Sequence, residues 1–572
     1  MSSSKPGLFA REATGLVREI GFSLGVIIIL SHVIGLGWQK RAFQFSGPMP
    51  MPNDMMPLGL PAMFWAFLVV GLVVLVTGYA AGYVAAAMPR SGGGYVTISR
   101  VIHPVVGYLS GWLMFLAEAF SYGLIGVAVF EGIGIFFNIA LASPGVATPG
   151  WLSAMSDPAT IFLGGLILVW VFALVAMLGT KMYGRLMEVM FYVPAAITVV
   201  FFAMWIGGAL NPSVVIDGFT KVTGAAPQVY VDTAISSGMA ANPAGFFDAF
   251  SFALGGAFWA YMGWYATTFL AGEVKEANKK LPKVLLVAGL VIIVVYLTAS
   301  SLSAISVMNV AVTTSGGHTW SLFQAYGWLS YGPAAAKSAA AAAIPNFQTA
   351  WSTGIASIIS QGMGLGWLSI ITAIGAVFWV ANDIPPFLLV ASRTFFAMSF
   401  DRMMPEKFSY VSERWHAPVW SLIATAAFAI PACMAEANFP AGAATYLSFA
   451  GVVGTDIFDA AFLLMFCVSC MLLPLERKDI YDRAAVKHSV GFVVLLGLVA
   501  TLGASFCLYI FVQQSPWIWS LFTSNASEAS IASSIGFIGC IAAGILLYVY
   551  YMYRNSTKGV DMRTLYIAIP PE

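Results

Sequence analysis

Five ionisable side chains sit deep inside apolar runs: His32, Glu118, Asp383, Asp456 and Asp459. An ionisable group at bilayer depth costs at least ~2.5–3.5 kcal/mol on insertion scales, so such a group is a functional candidate by default. The chemistry open to this set is proton exchange, ion coordination or pairing with a charged ligand. His32 titrates near neutral pH unless its surroundings shift it. It either touches a ligand and relays a proton, or bonds a neighbouring helix as a neutral imidazole. Asp456 and Asp459 are three apart, on one face of a helix. With Glu118 they form a proton-sharing network or paired structural polar groups. Asp383 follows Asn382 and precedes Pro385-Pro386. Prolines lack N–H donors, so Asp383 either bonds the backbone around them or holds a coupling ion. Glu131 and Asp248 lie nearer helix ends, and Glu188 is one turn from Arg185, as a local ion pair would be.

Two glycine-rich interruptions stand beside these groups. One reads Ser31-His32-Val33-Ile34-Gly35-Leu36-Gly37-Trp38, the other Ala253-Leu254-Gly255-Gly256-Ala257-Phe258-Trp259-Ala260-Tyr261-Met262-Gly263. Glycine weakens a helix and lets backbone approach a ligand. Backbone in a bilayer leaves the helical pattern only where protein or a cavity satisfies it. Freed N–H groups at a half-helix N-terminus favour an anion, and freed carbonyls favour an ammonium group. Glycines at helical spacing also serve close helix packing, the other reading of each run.

The elements that must position these residues are membrane spans. Of 572 residues, 59% are hydrophobic and 9% charged, against roughly 25% charged in soluble domains. That composition excludes a soluble fold and a disordered chain. The net charge of +1 carries no basic excess for nucleic acid. About 20 apolar residues cross a bilayer core. Twelve stretches qualify: 19–38, 59–88, 104–139, 159–178, 186–209, 246–270, 283–309, 364–398, 417–435, 442–473, 489–512 and 531–553. With the N-terminus inside, only Lys40, Arg41, Lys221 and Lys337 of the 26 Lys and Arg fall outside. That polarity predicts both termini on the cytoplasmic side of a cell membrane. Residues 1–18 then form a cytoplasmic leader with no cleaved signal peptide, and 554–572 a cytoplasmic tail. The long outer loops are 210–245 and 310–363, the second holding the run Ala334–Ala343. Cys433, Cys467, Cys470, Cys507 and Cys540 all fall inside predicted helices, so no disulfide framework is expected. The five histidines lie on separate segments, and no P-loop, zinc motif or nucleophile elbow appears. An enzyme is not expected, and no cofactor is.

At these residues the chain resembles the amino acid–polyamine–organocation transporter superfamily. Ile34-Gly35-Leu36-Gly37 is similar to the family's broken first helix, and Pro89-Arg90-Ser91-Gly92-Gly93-Gly94-Tyr95-Val96 to its loop after helix two. Phe258 to Pro282, with Ala271-Gly272-Glu273-Val274-Lys275, resembles the sixth helix and its exit. Ser392-Arg393-Thr394 and Asp401-Arg402-Met403-Met404-Pro405 resemble the end of helix eight. The resemblance implies an all-α polytopic fold of two five-helix inverted repeats, 19–209 and 246–473, with helices 1 and 6 broken. Helices 11 and 12, at 489–553, are appended.

It further implies a secondary active amino acid transporter working by alternating access around a midplane site, coupled to protons or sodium. A substrate carboxylate would meet the amides of Gly35, Leu36 and Gly37, beside Ile34. Its amine would meet the carbonyls of Val33, Trp259 and Met262, near Gly256 and Ala260. Trp259 and Tyr261 would bound the pocket, with Trp259 as an aromatic gate. His32, Glu118, Asp383 and Asp456 are the coupling candidates, with a Na⁺ site near Asp383. Two positions depart from the pattern. Pro194 stands where proton-linked members often carry a lysine, so that lysine mechanism does not transfer. Tyr265 stands where some carriers of basic amino acids have an acid. A polyamine or organic amine carrier or exchanger, and a non-transporting amino acid sensor, remain alternatives.

Overall fold

The computed structural model describes residues 7–142 and 149–571, apart from the Val453 side chain. Lys5, part of the basic tally, lies outside the described residues. Among the described residues, eleven helical segments are long and apolar enough to cross a membrane. The predicted stretch not among them is the sixth, 246–270, which is broken. Its helix, Phe246–Tyr261, has 16 residues. At 1.5 Å per residue that reaches about 24 Å, short of a ~30 Å hydrocarbon core. A turn and the 3-10 segment Ala266–Phe269 carry the chain onward.

In chain order, span one is Phe22–Gln44, span two Ala62–Ala87, span three Pro104–Ala140, span four Pro158–Ala176 and span five Thr180–Leu210. Span six is Phe246–Tyr261. Span seven is Ala277–Met308, span eight Gly366–Phe400, span nine Val419–Ala437, span eleven Val490–Gln513 and span twelve Glu528–Thr557. Span ten is Val452–Glu476. Local chemistry starts several of them. Asp157 accepts from the Thr160 amide, with Pro158 at the first helical position, and Ser489 and Ser527 cap spans eleven and twelve. Both are ordinary ways to satisfy the orphan amides of a first turn. Span three is central and span twelve peripheral, since their most apolar windows are 83% and 22% buried. Leu495, Leu502, Leu546 and Val549 face outward from the last two spans, as lipid-facing residues do.

Span one runs six residues beyond its predicted end and holds Arg41 inside the bundle at 6% exposure. Arg41 is therefore no loop charge, a correction to the outer tally. Span eight is two helices, Gly366–Asn382 and Ile384–Phe400, meeting at Asp383. Pro194 sits within a continuous span five.

The two long loops are folded. They carry helices Pro212–Thr223, Pro227–Ser236, Leu322–Tyr331, Ala334–Ala343 and Ser352–Gly362, and a small hairpin. The hairpin pairs Thr313–Ser315 with His318–Trp320. It is pinned through Asp54, which accepts from the Thr319 amide at 2.7 Å and meets His318 Nδ1 at 2.9 Å. Those contacts hold the Asp54 carboxyl below the usual carboxylate range, the His318 bond first. This is the cap end of the molecule.

The opposite end gathers both termini. Ile20 pairs in parallel with Val274, through Ile20 N–H to the Glu273 carbonyl and Lys275 N–H to the Ile20 carbonyl. Arg393 Nε donates to Glu273 Oε1 at 2.8 Å, and the Thr180 hydroxyl donates to the same carboxylate at 2.5 Å. Arg100 holds Asp401 with two bonds, at 2.6 and 2.8 Å. The predicted tail is a short helix, Met562–Ile567, with Tyr566 buried against Arg100. Arg90 donates to the Pro570 carbonyl beyond it.

Candidate functional site

Where spans one and six break, their ends meet. Span one stops at Val33 and restarts at Leu36, with Ile34 and Gly35 between. A Cβ on Gly37 would lie 2.8 Å from the Ala260 Cβ, so the two broken spans touch there. Span six breaks at Met262–Gly263, not at the Gly255-Gly256 pair. Gly263 has φ +88° and packs on the His32 ring. Gly255 and Gly256 lie within the helix and make room for Gln514 and Phe45. Gly256 is thus a packing glycine, removed from the cavity.

A cavity of about 40 Å³ lies at this junction. About 10–15 Å³ holds one water. The cavity takes a few waters and no amino acid until a wall moves. Of the predicted residues, Val33, Gly37, Trp259, Ala260, Met262, His32, Asp383 and Asp456 line it. Asp459, Thr455, Ser121 and Phe387 complete its polar and aromatic wall. Tyr261 turns away, donating to the Phe67 carbonyl at 3.1 Å, so it does not bound the pocket. Ile34 and Leu36 are core residues, and Gly35 is covered by Asp383. Tyr265 and Glu118 stand one layer back. The Tyr265 hydroxyl donates to Asp459. Glu118 Oε2 is 3.4 Å from His32 Nε2, both side chains 1% exposed. The His32 ring lies 4.1 Å from that of Phe387.

Trp259 is not bare. The Arg41 guanidinium lies 3.7 Å from its ring centre, a cation–π contact. Arg41 also donates to Gln44 Oε1 and interacts electrostatically with Asp456. The acids of the cavity therefore have one arginine opposite them.

Two features were beyond sequence reasoning. The first is Tyr296 on span seven. Its hydroxyl lies 2.5 Å from the Val33 carbonyl and 2.6 Å from the Ala260 carbonyl. One phenol thus caps the freed carbonyls of both broken spans. The only signal was a lone tyrosine in an aliphatic helix, which reads as packing. The second is the partner of Asp383. Its Oδ2 accepts from the Leu36 amide at 3.2 Å. The bond goes to span one and not to the backbone around Pro385-Pro386. A Cβ on Gly35 would lie 1.9 Å from Asp383 Oδ1, so only glycine admits the carboxylate. Asp383 meets an amide and the positive end of a half-helix, donors that suit an anion. Among the described residues no cluster of three or more His, Cys, Asp or Glu fits a metal ion.

On the cap side lies a wider cavity, a vestibule of about 440 Å³. Lys40 and Glu131 pair across it at 3.3 Å, with Glu436, Asn138 and Gln348 on its walls. Lys40 also lies 5.2 Å from the Trp351 ring centre. The terminal end is closed by the Ile20–Val274 pairing and the buried Arg393–Glu273 pair.

Comparison with known proteins agrees with this architecture. A family model described as amino acid permease matches residues 21–539. The serine/threonine exchanger SteT of Bacillus subtilis is 23% identical over 293 residues, covering 50% of this chain and 54% of that protein. The match therefore spans about half of SteT's length. The branched-chain amino acid permease BcaP of the same organism is 22% identical over 503 residues, covering 87% of each chain.

Proposed function

The chain belongs to the amino acid permease family, and from that premise we propose that it is a secondary active amino acid carrier working by alternating access. The observation that carries this reading is the small closed cavity where the two broken spans meet. It has a vestibule on one side and a locked face on the other. Residues 19–209 and 246–473 are the two halves that rock about this cavity, with 489–553 appended. The protein sits in the cell membrane with both termini cytoplasmic, which the one-sided distribution of Lys and Arg supports. The described conformation is then closed inside and leaning open outside.

The substrate amine is received by the cavity acids and by the carbonyls of Val33, Trp259 and Met262, once Tyr296 releases the first and the Met262 amide the second. Trp259, braced by Arg41, swings as the outer wall. His32, Glu118, Asp383, Asp456 and Asp459 carry the coupling ion, for which a proton fits the donor set better than Na⁺. A second reading, an organic amine as substrate, is favoured by one observation: three carboxylates line a cavity of a few waters.

The test is counterflow in proteoliposomes preloaded with each of the twenty amino acids and common amines. At least one amino acid is expected to accelerate entry of its labelled form. Silence across the whole set overturns the carrier.

A further inference from the structure

The amide end of the second half of span one is suited to receive a carboxylate, and a carboxylate of the chain itself occupies it. Asp383 is 4% exposed, lines the cavity, and makes its hydrogen bond to Leu36 N–H. Its Oδ1 has no hydrogen-bond partner among the described residues. Gly35 leaves room for it. Two ionised carboxylates cannot share such a site, because like charges at contact disfavour each other's charged form.

We propose that Asp383 is a tethered competitor for the substrate's carboxylate, and that the substrate takes the Leu36 amide only as Asp383 takes up a proton and swings away. The proposal rests on the carrier reading above. The proton comes from the outer solution through the vestibule. It stays on Asp383 while the substrate is bound, and leaves when the carboxyl returns to the amide after release. No bond to the substrate is made or broken. One proton then moves with each carboxylate because both require the same event.

Other titratable groups face this position. His32 lies on the first half of span one, with Glu118 behind it on span three. Tyr296 of span seven lies near enough to feel the Asp383 charge. Asp456 and Asp459 face it across the cavity from span ten, with Arg41 beyond Asp456. Only Asp383 touches the amide that the substrate's carboxylate needs.

The experiment uses the purified full-length protein in sodium-free buffer, with the amino acid giving the strongest counterflow. Its Kd is measured by calorimetry between pH 5 and 8, in pairs of buffers of different ionisation enthalpy. Binding is expected to take up about one proton per ligand, and affinity to fall about tenfold per pH unit in the upper part of the range. The methyl ester of the same amino acid keeps the amine and has no carboxylate charge. Its own amine titrates at ~7.7 once the carboxyl is blocked, so its Kd is referred to the ammonium form; that Kd is expected to be flat over the same pH range, with no proton taken up beyond the one on its amine. Asp383→Asn is expected to flatten the pH dependence for the amino acid itself. A pH-independent Kd for the amino acid on the wild-type protein overturns the proposal while leaving the carrier reading intact. So does an ester that keeps the slope, which would assign the proton to His32 or the span-ten acids. The ester comparison decides the matter in wild-type protein even if Asp383→Asn does not fold.

Discussion

At the scale of single residues, Tyr296 concentrates the most consequence in the fewest atoms. A phenol has one proton to donate and here faces two carbonyls. Removing the hydroxyl leaves both buried acceptors short, and an unsatisfied buried polar group costs about 1–3 kcal/mol. Tyr296→Phe is expected to lower the unfolding temperature and to slow counterflow about tenfold, equivalent to about 1.4 kcal/mol in a barrier. Initial rates and a thermal melt check both; a variant matching wild type in each measurement has no bridge at Tyr296. Chemistry of this kind is hard to read in a sequence. Gly35 was legible because a glycine between two apolar half-helices has few other uses. Asp383 was legible as a buried acid, but its partner, Leu36, lies 347 residues away. Nothing local marks that pairing, and the nearby prolines pointed to a different one.

At the scale of elements, the break in span six shows what a glycine cluster does and does not say. Gly255, Gly256 and Gly263 look alike in sequence. Backbone conformation separates them: Gly263 takes φ +88°, while the other two are helical. A non-glycine residue in the left-handed region costs roughly 1–2 kcal/mol. A Cβ at Gly263 would in addition lie 2.2 Å from His32 Cδ2. At Gly255 the obstacle is the end of the flexible Gln514 side chain. Gly263→Ala is therefore expected to abolish counterflow and to lower the unfolding temperature, and Gly255→Ala to do neither to the same degree. Equal effects would show that the turn at Met262–Gly263 is not the working hinge. Span number and most boundaries were readable because a bilayer sets a length and a polarity that sequence must obey. The outer loops were not, because their helices bury apolar faces against one another and follow no such rule.

At the scale of the whole molecule, the terminal end is held by buried charge. Arg393 and Glu273 are 2% and 0% exposed as side chains. Breaking such a pair by removing one charge costs about 3–5 kcal/mol, because the partner is left uncompensated. In the proposed cycle that cost falls on the inward-closed state. Glu273→Gln is expected to shift the population towards the inward-open state. With a Ser91→Cys reporter beside Gly272, labelling by an impermeant maleimide from the terminal side should rise at least about tenfold. An unchanged rate would remove the pair from the gate.

The Ile20–Val274 pairing carries a consequence of its own. Two backbone hydrogen bonds in parallel register join the entry of span one to the exit of span six. A slip of one residue would turn Ile20, which is fully buried, to the other face. In the proposed carrier cycle this latch would act as a two-position catch, either sealed or released, and would disfavour a partly open form through which solute could leak.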